Sequence, residues 1–408
     1  MSFDYAGRAD TAATWVARAR ALKPVLEAAA PRIEATCSLP PDVLDALHEA
    51  QMFRMLLPRS LGGAELDPAT FVRVVAAIAE GDASVAWCIG QNSGCSMAAA
   101  YMEPAVAKEV FGDLRSVVAW GFPQGPECRA LPVAGGWRVN GTWGFASGNR
   151  HATWLGGHCQ ECDVHGTPLL HPDGRAKERT MLFPRSSATV REVWEVMGLR
   201  GTGSDTYSVK DLFVASDHAV ARDQQLAADE SGDADAERRE QGTLYRFSTM
   251  NLYAAGFAAV AMGTARAALD AFTALATRKT PSGTRLSLRD NHVIQARIAL
   301  SEANLNSAGA WLQQILRSAW DEIATSGRIN FDQRIRIRLA STYAIHQARE
   351  VVEAAYAEAG ATAIFQSNPF ERRFRDMNTV SQQVQGSSTH FQTVGQYFLG
   401  LQPSPRFL

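Results

Sequence analysis

Hydrophobic positions change their spacing twice along the chain and so divide it into three regions. Residues 10–112 carry alanine and leucine at helical spacing, as in 43–50 and 71–79, which predicts a helical unit. From residue 116 to about 220, short β-branched and aromatic runs alternate with Gly, Pro, Asn and Asp, which is typical of an antiparallel sheet or barrel. Apolar and amphipathic stretches from 250 to about 359 predict a four-helix bundle.

These patterns predict a domain order of helices, sheet and helices. The predicted ranges are an N-terminal helical domain at 1–115, a central β domain at 116–221, a linker at 222–242 and a C-terminal bundle at 243–408. The linker is predicted because its residues are too polar to bury. Within the first domain, Asp67 followed by Pro68 predicts the start of a helix.

Residues 135–148, GGWRVNGTWGFASG, contain both a turn signal and a chemical signal. Asn-Gly at 140–141 predicts a tight reversal, followed by a strand that begins at Trp143. Strand alternation then places Trp143, Phe145 and Ser147 on one face, where an aromatic wall and a hydroxyl could contact a planar ring system. Taken alone, the pattern favours a hairpin whose aromatic side chains belong to a core.

Composition is that of a soluble globular protein. The chain has 408 residues, 46% hydrophobic content and a formal net charge of −2, which gives no electrostatic reason to expect nucleic acid or a membrane surface as a partner. No apolar run approaches the ~18–20 residues of a membrane span and no signal-peptide core is visible, so we expect a cytoplasmic location. Six cysteines in a chain of this length predict reduced thiols rather than a disulfide framework.

Two other motifs are weighed and set aside. Four potential metal ligands fall within eight residues: His158, Cys159, Cys162 and His165. They lie on one predicted strand and its turn, whereas a tetrahedral site normally takes ligands from two separated pairs, so no metal is expected. His151 and His171 are predicted to be isolated surface histidines. The glycine run at 198–203 fits neither the dinucleotide-binding nor the Walker pattern. It belongs to a second glycine-rich turn, 194–205, which together with 135–148 could form a rim that holds a flat cofactor.

The order of several motifs resembles the acyl-CoA dehydrogenase family over nearly the full length. The motifs are PRSLGG at 58–63, EGDASVAW at 80–87 and Arg375-Asp376. Within that family, GTWGFASG at 141–148 and GQYFLG at 395–400 are more similar to the two-component flavin-dependent monooxygenases. The resemblance implies a mainly α fold with a central β domain. It also implies an enzyme that takes reduced flavin from a separate reductase and activates dioxygen.

The resemblance further implies a flavin site. Phe145 to Ser147 match the strand beside the isoalloxazine, where the Ser147 hydroxyl would bond the N5/O4 edge and help to hold a C4a-hydroperoxide. Trp120, Gly121 and Pro123 match the loop on the other side of the ring. Arg278 resembles an arginine that meets flavin phosphate at a subunit contact, although a solvated arginine at a helix end is an equal alternative.

Two departures from the family patterns distinguish the subclasses. The carboxylate that acyl-CoA dehydrogenases use as a base is replaced by Val384, and the alternative location at 248–251 has no acid, which disfavours dehydrogenation. The Gln-His pair of related phenol hydroxylases is Gln382-Gln383 here. Gln383 is therefore expected to orient the substrate. His390 is a candidate substitute for the missing histidine, with an ordinary exposed histidine as the alternative.

The sequence therefore predicts the oxygenase component of a two-component flavin-dependent monooxygenase. It would use reduced FMN or FAD (FMNH2 or FADH2) and O2 to oxygenate a small aromatic, amine or thioether substrate. Gln91 and Asn92 are expected in the pocket wall. A separate NAD(P)H:flavin reductase and a homotetramer are implied. The alternatives are a dehydrogenase-like FAD oxidoreductase and a non-catalytic member of the fold.

Overall fold

The N-terminal region folds into helices, and the structure is a computed structural model that describes residues 11–172, 174–221, 238–404 and 408. The helices are α1 Ala12–Thr36, α2 Pro41–Glu49, α3 Pro68–Ala79, α4 Ala83–Ser96 and α5 Pro104–Phe111. Asp67 caps α3, since its Oδ1 accepts a hydrogen bond from Thr70 N at 2.9 Å and Pro68 occupies the first helical position. The predicted helix start at Asp67 is confirmed. Most of the predicted linker, 222–237, lies outside the described residues.

The central region forms one mixed sheet. Its strands are β1 Val118–Trp120, β2 Phe122–Pro123, β3 Arg129–Val133, β4 Gly136–Gly144, β5 Trp154–Glu161, β6 Glu178–Pro184, β7 Thr189–Arg191, β8 Thr206–Ala215 and β9 Ala219–Ala221. The main order is β7-β8-β4-β3-β5-β6-β9, with β1 on β5 and β2 on β4. Strand β5 pairs in parallel with β1 and with β3, and the other pairs are antiparallel. The predicted antiparallel arrangement therefore holds for most of the sheet and is wrong in these two pairings.

The predicted turn at Asn140-Gly141 is also wrong, because both residues lie inside β4. The chain reverses earlier, between β3 and β4, where Gly135 has a φ of +78° that glycine adopts without strain. Asn140 instead marks a register irregularity against β8. Its Oδ1 accepts a hydrogen bond from Asp211 N at 2.8 Å.

Strand β4 ends at Gly144, and this overturns the expectation that Trp143, Phe145 and Ser147 share a face. Phe145 has a φ of +59°, a left-handed conformation that breaks strand alternation. As a result Trp143 is fully buried in the sheet core, whereas Phe145 is 60% exposed. Ser147 lies in the turn that follows and is 5% exposed.

The C-terminal helices are α6 Thr249–Ala276, α7 His292–Ser326, α8 Phe331–Ala359, α9 Pro369–Gln382 and α10 Thr389–Phe398. Helix α6 packs on α8 and on α3, so it joins the bundle to the N-terminal helices. A Cβ atom placed on Gly263 would lie 2.1 Å from Ala76 O, which shows how closely α6 and α3 approach. Contrary to the sequence expectation, α6 is long and apolar enough to pass for a membrane span. However, 89% of its most apolar window is buried inside the protein.

Candidate functional site

The Ser147 hydroxyl is held by two side chains from other parts of the chain. Trp87 Nε1 donates a hydrogen bond to Ser147 Oγ at 3.0 Å, and Ser204 Oγ lies 2.7 Å from the same oxygen. Trp87 belongs to α4, and its ring stacks on Phe257 of α6 with centroids 3.9 Å apart and planes 14° apart. Ser147 is therefore fixed where the β domain meets both helical regions.

A loop between β7 and β8 brings Ser204 to this position. Ser204 Oγ lies 2.7 Å from Thr202 Oγ1, which in turn donates a hydrogen bond to Leu199 O at 2.8 Å. Leu199 has a φ of +51°, and its N–H donates to Asp376 Oδ1 of α9 at 2.7 Å. The loop is thereby anchored on the C-terminal bundle.

Beside Ser147 lies an aromatic surface made of the exposed Phe122 and Phe145 and the half-buried Trp194. Phe145 meets Trp194 edge to face, with centroids 6.0 Å apart and planes at 84°. Phe122 of β2 is paired with Gly144, next to Phe145, and is also exposed. Trp194 Nε1 donates to Leu199 O at 3.0 Å, so the ring is oriented by the same loop that carries Ser204. Aromatic surface left open to solvent is typical of a ligand site.

The predicted loop at 120–123 lies alongside β4, because β2, which forms part of it, pairs with the end of β4. A Cβ on Gly121 would lie 2.3 Å from Gly144 O, so only glycine fits there. Gly121 N also donates to Tyr207 Oη at 3.3 Å, and Pro123 pairs with Trp143. Trp120 is half-buried and contacts His158 edge to face at 5.2 Å. Its ring therefore packs partly against the sheet.

Asn92 is buried and ties the loops of the site together. Its Nδ2 donates to Val118 O at 3.0 Å and is 3.4 Å from Ser147 O, while its Oδ1 lies 3.2 Å from His151 Nε2. His151 is therefore not the isolated surface histidine that the sequence predicted. Burial lowers the pKa of His151 to about 3, so its ring is neutral. The other predicted wall residue, Gln91, is half-buried with Nε2 3.5 Å from Tyr253 Oη.

Gln383 and His390 each form a hydrogen bond with the turn between α9 and α10. Gln383 Oε1 accepts a hydrogen bond from Gln385 N at 2.6 Å, and His390 Nε2 bonds Val384 O at 2.7 Å. His390 is buried, which contradicts the alternative of an ordinary exposed histidine. Burial lowers its pKa to about 4, so at neutral pH it is uncharged and its Nε2 donates to the turn.

Arg278 stands apart from these groups within one chain. It lies just after α6 with an exposed side chain, and among the described residues no ion pair involves it. A guanidinium placed in this way is free to meet an anion that another molecule brings.

The Arg375-Asp376 motif forms an anchor. Arg375 pairs with Glu34 of α1 at 2.8 Å and with Glu371 at 2.7 Å. Asp376 is buried and bonds Leu199, and its pKa is raised to about 7 by burial first and by the nearby Asp82 second. The motif thus connects α9 to α1 and to the loop that carries Ser204.

The Cys159-Cys162 motif belongs to the sheet. Cys159 is buried on β5, where burial raises the pKa of its thiol, and His158 Nδ1 lies 2.8 Å from Thr180 Oγ1. Throughout the part of the chain that the structure describes, no three His, Cys, Asp or Glu side chains are grouped as a metal site.

Four contributors to the site were not named as site residues from the sequence, although the last three lie in the predicted glycine-rich rim at 194–205: Trp87, Trp194, Thr202 and Ser204. Trp87 lies in the EGDASVAW motif, but its partner Ser147 is 60 residues away and periodicity carries no information about such a contact. Thr202 and Ser204 alternate with Gly201 and Gly203, and hydroxyl residues interleaved with glycine were the available signal.

These groups fit a flavin. A planar tricyclic ring needs an aromatic or apolar face and a few polar groups at its edge. Phe145 and Trp194 offer such a face, and Ser147, two residues from Phe145, offers a hydroxyl.

Two family models and several known proteins match this chain. The model described as "Acyl-CoA dehydrogenase, N-terminal domain" matches residues 12–115, and the one described as "Acyl-CoA dehydrogenase, C-terminal domain" matches residues 255–387. Indole-3-acetate monooxygenase of Pseudomonas putida is 28% identical over 90% of this chain and 89% of its own length. The flavin-dependent monooxygenase oxygenase subunit HsaA of Rhodococcus jostii is 27% identical over 88% of this chain and 91% of its own.

A solved structure shows the same fold. XiaF from Streptomyces sp., in complex with FADH2 and glycerol, superposes with a TM-score of 0.88 over 97% of this chain and 98% of its own at 22% identity. The predicted fold, a mainly α acyl-CoA dehydrogenase fold with a central β domain, is thereby confirmed. The chain belongs to the acyl-CoA dehydrogenase family and, within it, to the oxygenase components of flavin-dependent monooxygenases.

Proposed function

We propose that this oxygenase component binds reduced FMN or FAD against Phe145 and Trp194 and oxygenates an electron-rich aromatic substrate, such as an indole. The observation that carries the proposal is the buried Ser147 hydroxyl, held by Trp87 and Ser204 beside an exposed aromatic surface. When bound, reduced flavin supplies the two electrons with which one atom of dioxygen goes to the substrate and the other leaves as water.

The residues around the ring have separate tasks. Phe145 and Trp194 cover the ring and exclude water, which limits loss of reducing power to peroxide. Ser147 holds the N5 position of the ring, and the loop with Trp120, Gly121 and Pro123 borders the cofactor. The exposed Arg278 binds the flavin phosphate of a neighbouring copy.

Gln383 orients the substrate. Its Oε1 accepts a hydrogen bond from Gln385 N. Its Nε2 makes no hydrogen bond among the described residues, so this amide nitrogen is available to donate to a substrate. Glutamine cannot remove a proton, and the neutral His390 is committed to Val384 O. A ring that is already nucleophilic makes no demand on a base, which favours an indole over a phenol that must first ionise. The P. putida relative is named for an indole substrate.

The assembly we propose is a cytoplasmic homotetramer supplied by a separate NAD(P)H:flavin reductase. Helix α7 offers a subunit contact. Its exposed Val293 and Leu300 border a shallow groove of about 400 Å³, lined also by His292, Ala296 and Arg297. A monomer in light scattering at micromolar concentration would contradict the tetramer.

The experiment that tests the function uses ¹⁸O₂. Purified protein with chemically reduced FMN or FAD is mixed with ¹⁸O₂ and indole, and the product is analysed by mass spectrometry. We expect one ¹⁸O atom in the product. Ser147→Ala should release more peroxide at the expense of product, while Ser341→Ala, which removes a buried hydroxyl in α8, should leave the yield unchanged. Product without ¹⁸O, or no product from indole and related rings, would refute the proposal.

A further inference from the structure

Three buried hydroxyl groups form a continuous chain that ends at a backbone carbonyl. Ser147 Oγ and Ser204 Oγ are 2.7 Å apart, Ser204 Oγ and Thr202 Oγ1 are 2.7 Å apart, and Thr202 Oγ1 is 2.8 Å from Leu199 O. All three side chains are at most 5% exposed, so solvent cannot easily replace a partner. The direction of this chain decides what Ser147 can offer a ligand.

The carbonyl fixes that direction. Leu199 O can only accept, so Thr202 must donate to it, and the Thr202 oxygen is then available to accept from Ser204. Every hydroxyl hydrogen finds a partner when Ser147 donates to Ser204 and Ser204 donates to Thr202. The opposite orientation of Ser204 would leave the Thr202 oxygen without that bond.

Trp87 completes the count of hydrogens and lone pairs on Ser147. An indole N–H can only donate, and stacking on Phe257 prevents the ring from turning away, so Trp87 always occupies one lone pair of Ser147 Oγ. With its hydrogen used by Ser204, Ser147 has a single lone pair left. It is thus set as a hydrogen-bond acceptor.

We propose that Thr202 and Ser204, acting through Ser147, make this site select reduced over oxidised flavin; the inference rests on the proposed flavin role of Ser147. N5 of a reduced flavin carries a hydrogen and donates, whereas N5 of an oxidised flavin accepts. An acceptor at Ser147 matches the first and opposes the second. Binding oxidised flavin through Ser147 requires one hydrogen bond of the chain to break, either from Ser147 to Ser204 or from Ser204 to Thr202, which disfavours it by roughly 5- to 10-fold.

The test measures the ratio of dissociation constants for oxidised and reduced flavin, in anaerobic titrations followed by fluorescence and absorbance. Thr202→Val keeps the shape and removes the acceptor, so Ser204 turns to donate to Ser147 and frees the Ser147 hydrogen. The ratio should fall roughly 5- to 10-fold, mainly because oxidised flavin binds more tightly. Ser204→Ala should lower it as well, since the Ser147 hydrogen then has no partner in the chain.

Two further variants distinguish the direction of the hydrogen bonds from a general effect of altering a buried side chain. Trp87→Phe leaves the chain direction intact, so both flavin forms should bind more weakly at an unchanged ratio. Thr264→Val is a matched control, because it removes a buried threonine hydroxyl that bonds Val260 O within α6 at 2.8 Å. The ratio of its dissociation constants for oxidised and reduced flavin should equal that of the wild type.

An unchanged ratio in both Thr202→Val and Ser204→Ala, at unaltered melting temperature, overturns the inference while leaving the proposed function intact. Should Thr202→Val fail to fold, Ser204→Ala decides the matter alone. A wild-type protein that binds neither form of FMN or FAD would instead refute the proposed function.

Discussion

Replacing Asp376 by asparagine should stabilise the protein at neutral and higher pH. Asp376 is buried and its pKa is raised from 3.8 to about 7, chiefly by burial and then by Asp82, although the nearby Arg372 opposes the shift. That difference corresponds to about 4 kcal/mol at 1.36 kcal/mol for each pKa unit. We take this as an upper limit, because Arg372, which pairs with Asp82 at 2.6 Å, also attracts the Asp376 carboxylate.

The direction of this change in stability follows from proton binding. The native state binds a proton on Asp376 more tightly than the unfolded state, so this carboxyl costs nothing below pH 4 and its penalty grows as the pH rises to about 7. Asparagine keeps the oxygen that accepts from Leu199 N and carries no charge. The variant and the wild type should therefore match near pH 4, and the variant should be more stable by up to about 4 kcal/mol at pH 8.

The assay is urea unfolding of the flavin-free protein at pH 4.5, 6 and 8, followed by circular dichroism. Asp45→Asn is the matched control, since Asp45 forms an exposed ion pair with Arg115 at 2.7 Å and its loss should change the stability by less than about 1 kcal/mol at each pH. A variant that loses stability at pH 8 would refute the reasoning. That result would mean that the buried carboxylate is stabilised by its neighbours more than it is penalised by burial.

Two further predictions concern packing and the aromatic surface. Gly263→Ala should lower the free energy of unfolding by about 1–3 kcal/mol in urea, because its Cβ would lie 2.1 Å from Ala76 O. Gly90→Ala is the control and should be neutral or slightly stabilising, because the nearest neighbour of its Cβ would be 4.0 Å away. Equal effects of the two substitutions would contradict the close approach of α3 and α6. Phe145→Ala should weaken binding of reduced flavin about 3- to 10-fold in anaerobic titration without changing the melting temperature. The exposed Phe213 provides the control variant Phe213→Ala, and an equal loss of affinity in both variants would remove Phe145 from the site.

The broad architecture could be predicted from the sequence because it depends on local periodicity. Helical spacing in 71–79 and the Asp67-Pro68 start correspond to α3, and the β-branched texture after residue 116 corresponds to the sheet. Those features arise from side chains within one or two turns of each other, which is the range that a pattern of hydrophobic positions samples.

The details of the site depend on backbone conformation and on distant partners. Asn140-Gly141 has the composition of a turn, but the chain already reverses at Gly135. Pairing with β8 then keeps β4 extended through Asn140 and Gly141. Phe145 adopts a left-handed conformation that no periodicity anticipates. The partners of Ser147 lie 60 and 57 residues away, so only the folded chain shows them.

The bond between Leu199 and Asp376 has a consequence for the order of folding. It joins residues 177 apart in sequence, so the entropy cost of closing that loop must be met before the bond forms. Contacts of such long range are formed slowly, whereas helices and hairpins form from neighbours. The loop that orients Ser204 can therefore reach its final geometry only after α9 has docked. A nascent chain that lacks α9 therefore lacks the anchor that fixes this loop.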